Sequence, residues 1–102
     1  MKVKIKNFTY NIIEVENFDD APKNIEFACG HTDYVKQVIR IYKPLSKEQK
    51  RQTLIHELTH TFLWIYGFGQ ITEQIPIEIM CDFVGCYADK IIEITNKYFK
   101  VG

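Results

Sequence analysis

Two histidines stand four positions apart, with a glutamate directly after the first, in His56-Glu57-Leu58-Thr59-His60. On a helix, positions i and i+4 share one face about 6 Å apart, so both imidazoles can reach a single divalent ion. Zinc accepts neutral imidazole nitrogens and, at catalytic sites, keeps one of its four positions for water. Glu57 lies about 100° around the helix from His56, which places its carboxylate beside such a water and off the ion. Zinc can lower the pKa of its water to about 7, and a nearby carboxylate then accepts the proton as the oxygen attacks a carbonyl. The pattern names His56 and His60 as metal ligands, Glu57 as general base and Zn²⁺ as cofactor. A chance match in a chain of 102 residues is rarer than about one in a hundred on ordinary usage of His and Glu.

A third protein ligand is needed. Glu78 is the first choice: it lies 18 positions beyond His60, after a loop and near the start of the next expected helix. Asp82, one turn later, is expected to hydrogen-bond a ligating histidine. Glu73 in the loop is the main rival, and the Cys81 thiol is a third option. His31, Tyr66 and Tyr87 are candidates for binding substrate or polarising a carbonyl. Each has a plainer reading, as a turn, surface or packing residue.

These side chains need a frame. Before Pro44 apolar residues tend to alternate, as in KVKIK, and stretches at 2–6, 9–16, 25–31 and 36–42 read as short strands. Turn residues at Asn7, at Asp19 to Pro22 and around Thr32-Asp33 separate them. The expected result is a small antiparallel sheet. After Pro44 the period becomes helical. Ser46 and Gln49 have the spacing of a capping box, and Leu54, Leu58, Phe62 and Ile65 mark one face of a helix over 47–66, ended by Gly67 and Gly69. A second helix is expected over 77–99, with Thr72 the better capping residue and Pro76 most at ease at N1. Its stripe is Met80, Val84, Tyr87, Ile91, Ile94 and Tyr98, while the small residues Cys81 and Gly85 flank Glu78 and would let the helices approach closely. That stripe points nearly away from Glu78. A steep helix crossing, a later helix start or a second copy in a homodimer would reconcile the two.

Composition narrows the class. Hydrophobic residues are 46% and charged residues 25%, as in an ordinary globule, and the length suits one domain over 1–102. Lys plus Arg and Asp plus Glu are both 13, which gives no sign of the broad positive field of a nucleic-acid-binding domain. The longest unbroken apolar run, Phe62 to Tyr66, is too short to span a membrane. Three cysteines without a Cys-x-x-Cys, and no apolar segment behind the basic start, suit a reducing, cytoplasmic setting.

HELTH followed by Glu78-Ile79-Met80-Cys81-Asp82 resembles a gluzincin, and the short layout is similar to the minimal zincin domains of ImmA/IrrE-type and phage-encoded peptidases. The resemblance covers about residues 25–95, and only the HExxH part is highly specific. It implies an α+β fold, with a small sheet before the helix that carries both histidines and a glutamate from the next helix on the metal. It also implies an intracellular zinc endopeptidase whose partner is a protein or peptide substrate. The other expectation is a latent or inactive zincin-like domain in which zinc stabilises a protein-interaction module.

Overall fold

The computed structural model describes residues 1–17, 29–67 and 76–100. The architecture is α+β: strands β1 (Lys2–Ile5), β2 (Phe8–Val15), β3 (Gly30–Asp33) and β4 (Val38–Tyr42) precede helices α1 (Lys47–Ile65) and α2 (Ile77–Tyr98). The strands form one sheet in the order β1-β2-β4-β3. No helix among the described residues is long and apolar enough to cross a membrane.

The sheet is mixed, which corrects the antiparallel expectation. β1 pairs with β2 and β3 with β4 in antiparallel fashion, but β2 and β4 run parallel, with Ile12 opposite Ile39. The reason lies in strand character. Ile39, Arg40 and Ile41 are all buried, so β4 suits a central position with a neighbour on each side. β3, Gly-His-Thr-Asp, is short and polar, as edge strands usually are. The third strand was expected at 25–31 and forms at Gly30–Asp33; residues 25–28 lie outside the described residues. Thr32 and Asp33, expected in a turn, close β3 instead. The turn follows at 34–37, where the Asp33 carboxylate accepts the backbone N–H groups of Val35 and Lys36 at 3.0 and 2.9 Å.

The helices follow the expected bounds within a residue. Ser46 Oγ accepts the Gln49 N–H and Gln49 Oε1 accepts the Ser46 N–H, completing the capping box. Past the end of α1, Gly67 takes a φ of 94°, a left-handed conformation that costs glycine nothing. Pro76 is the N-cap of α2, one position before the expected N1, and Thr72 and Gly69 lie outside the described residues.

One core joins the layers. Ile5, Tyr10, Ile12, Ile39 and Ile41 meet Leu54, Leu58 and Phe62 of α1 and Phe83 and Ile91 of α2. Tyr66 and Tyr87 stack at 4.4 Å between ring centroids, close to Phe62 and Phe83. The stripe differs from expectation at one position: Val84 is half exposed, and Phe83, outside the expected stripe, is buried instead. Cys81 and Gly85 are also exposed, and among the described residues nothing lies within 4 Å of a Cβ built on Gly85, so these small residues do not form a close crossing of α1 and α2.

Candidate metal centre

His56 and His60 project from the exposed side of α1, opposite Leu54, Leu58 and Phe62. Their Nε2 atoms stand 3.1 Å apart, with ring centroids at 4.7 Å. Two nitrogens about 2.0–2.1 Å from one tetrahedral ion would be about 3.3 Å apart, so the pair fits as two ligands of such an ion. Without an ion, the same separation suits a hydrogen bond in which one nitrogen is protonated and the other presents its lone pair.

Glu57 occupies the seam between α1 and the edge strand β3 and is only 7% exposed. Thr32 Oγ1 donates to Glu57 Oε1 at 2.8 Å. Oε2 lies 3.8 Å from His56 Nε2, too far for a direct hydrogen bond. One carboxylate oxygen is thus anchored, and the other lies toward His56 without bonding to it. The backbone beneath is also fixed, because Thr61 Oγ1 donates to the Glu57 carbonyl at 2.8 Å.

The narrowness of this seam explains Gly30. A Cβ at Gly30 would fall 2.6 Å from Thr53 Cγ2 and 3.1 Å from Glu57 Cγ. Strand alternation puts Gly30 and Thr32 on the face toward α1 and His31 on the other. His31 is therefore turned away from Glu57, and it pairs across the strands with Arg40. The Tyr42 N–H donates to the Cys29 carbonyl, so by antiparallel alternation the N–H and C=O of Gly30 and Thr32 point outward from the sheet. Two residues thus bring both a wall for Glu57 and an open backbone edge.

The structure brings His56, Glu57 and His60 together but does not bring Glu78 or Asp82 to them. Both acidic residues are exposed on α2, on the side opposite Phe83, Tyr87 and Ile91, and Cys81 is exposed beside them. Among the described residues no group of three or more His, Cys, Asp or Glu side chains is placed to hold one ion. Glu73 lies outside the described residues. Tyr66 and Tyr87 serve the packing between the helices. The basic residues near the start of α1 are partly paired, Lys50 with Glu14 at 2.8 Å and Lys43 with Glu16 at 3.5 Å.

Two neighbours escaped sequence reasoning, Thr32 and Tyr34; Trp64, read from the sequence as core or cleft packing, joins them. Tyr34 stacks on the half-exposed Trp64 at 4.7 Å, with planes 21° apart. Burial raises the Tyr34 phenol's pKa, and the nearby charge of Glu57 adds to it. Trp64 carried a signal, since it stands one turn beyond His60. Thr32 and Tyr34 carried none, because their neighbourhood depends on how the sheet docks on α1. Comparisons with protein-family models, curated proteins and solved structures found no match.

Proposed function

We propose that the chain is a zinc-dependent endopeptidase of the HExxH type, with His56 and His60 as ligands and Glu57 as general base. The observation that supports this best is the pair of Nε2 atoms at 3.1 Å, flanked by a buried carboxylate with one oxygen uncommitted. When bound, Zn²⁺ would supply Lewis acidity and a water whose pKa is lowered to about 7. Glu57 takes the proton of the attacking water on Oε2, since Oε1 is held by Thr32, and then returns it to the departing amine. The outward backbone groups of Gly30 and Thr32 pair with an extended substrate and lay its scissile bond along the edge of β3. The apolar Tyr34–Trp64 pair flanks that path.

Glu78 as third ligand, with Asp82 in support, requires α2 to turn from the orientation described above; Glu73 is the rival. Zinc titration of Glu78→Ala and Glu73→Ala separates them: the ligand is the one whose loss lowers affinity by about a hundredfold or more. The central test compares wild type with Glu57→Gln. The variant should bind one zinc per chain and lose about 10²–10⁴-fold in kcat on an unfolded protein substrate; unchanged turnover rejects the mechanism. The second reading is a latent domain stabilised by metal, and activity separates it from the first. Stoichiometric zinc that raises the melting temperature, with no cleavage of any unfolded substrate, would select it.

A further inference from the structure

The opposite edge of the sheet carries a different chemistry, independent of the metal centre. An open groove of about 560 Å³ runs between β1 and α2. Lys2, Lys4 and Lys6 from the first hairpin and Lys90 and Lys97 from α2 line it, with Glu93 the one carboxylate among them. Five of the chain's 13 lysines and arginines thus gather at one place in a chain of zero formal charge, so the groove has a local positive field that the total conceals. All five are exposed, and among the described residues none is paired with a carboxylate. The floor is apolar, formed by Ile5, Phe62, Tyr66 and Ile94.

β1 is also an open edge. Met1 and Ile12 exchange both backbone hydrogen bonds, so the alternation leaves the N–H and C=O of Lys2 and Lys4 directed away from β2. We propose that this edge and groove dock an extended acidic peptide segment of a partner protein, added to the sheet beside β1. Backbone hydrogen bonds to Lys2 and Lys4 would hold the segment in register. Glu or Asp on one side of it would oppose the Lys2 and Lys4 side chains, and apolar residues on the other would rest on Tyr66 and Ile94 between Lys90 and Lys97. A second copy is a poor occupant, because pairing β1 with itself sets lysines against lysines. Nucleic acid fits less well: Tyr66 is stacked on Tyr87 and has Lys6 Nζ 5.6 Å from its ring centroid, leaving no free aromatic platform for a base.

The test uses the full chain as purified and reads binding alone, so its outcome is separate from peptidase activity. A fluorescein-labelled peptide of eight residues, alternating Glu and Val, is titrated by anisotropy at low salt. Binding should saturate, weaken with added salt, and fall about tenfold or more in Lys4→Glu/Lys90→Glu, while Lys43→Glu/Lys47→Glu stays near wild type. A peptide N-methylated on alternate amides, made in both registers, should lose binding in the register that faces β1. This arm needs only the wild-type chain and stands even if the double variant does not fold. The proposal is overturned by no saturable binding, by equal affinity of both methylated peptides, by a folded Lys4→Glu/Lys90→Glu variant with unchanged affinity, or by tighter binding of a dT12 oligonucleotide.

Discussion

At the scale of single residues, Glu57 is held in a way that few surface carboxylates are. It is buried at the seam, receives the Thr32 hydroxyl on one oxygen and leaves the other toward His56. On the peptidase reading, the Thr32 hydroxyl positions the proposed base. Thr32→Val keeps the shape and removes the donor, so a buried acceptor is left without its partner, at a cost of about 1–3 kcal/mol. Urea unfolding should show that loss, and on the proposed reading zinc stoichiometry should stay the same. Under the peptidase reading kcat should fall more than KM rises, whereas Thr32→Ser should restore much of the rate. Equal kcat in Thr32→Val would mean that the hydrogen bond serves stability alone.

At the scale of elements, the site depends on how closely β3 approaches α1. Gly30→Ala introduces a methyl group 2.6 Å from Thr53 Cγ2 and 3.1 Å from the Arg40 carbonyl oxygen, so the Thr53 side chain or the strand must shift. Overpacking of this kind costs about 1–3 kcal/mol. The expected result is a lower denaturation midpoint and, on the peptidase reading, weaker zinc binding. Gly67→Ala tests a different junction. A φ of 94° suits glycine and strains alanine, so a loss of about 1 kcal/mol is expected with the imidazoles undisturbed. Comparing the two variants separates damage to the seam from loss of overall stability.

At the scale of the whole molecule, Glu14 ties the sheet to both helices. Its Oε1 accepts from Lys50 Nζ near the start of α1 and its Oε2 from the Tyr98 hydroxyl at the end of α2, each at 2.8 Å. The Lys50 hydrogen bond is the main reason its pKa lies below the ordinary 4.5; Tyr98 adds to the effect and partial burial opposes it. A carboxylate depressed in the folded state contributes its stability above its unfolded pKa and loses it as pH falls through the folded value. Stability should therefore decline from about pH 4.5 downward, and Glu14→Gln should flatten that slope in urea titrations at stepped pH. Some slope should remain from Asp33, whose pKa is lowered chiefly by the Lys36 backbone N–H. The molecule also separates its chemistry between two outer strands, with the carboxylate and imidazoles at β3 and the lysines at β1.

Local physics made much of this legible in the sequence. Ser46 and Gln49 specified the start of α1 because a capping box needs only residues three apart. The four-residue spacing of His56 and His60 fixed their approach because one helical turn separates them whatever surrounds the helix. The α+β class followed from the change of period at Pro44. Strand order did not follow, since parallel pairing of β2 with β4 joins residues far apart in sequence through a long connection. Nor did the setting of Glu57 between Gly30 and Thr32, although the side of α2 away from its apolar stripe, which carries Glu78, was legible. Strand order and that setting depend on which faces pack together once the sheet and helices meet, a choice made by the total apolar surface buried rather than by any one segment.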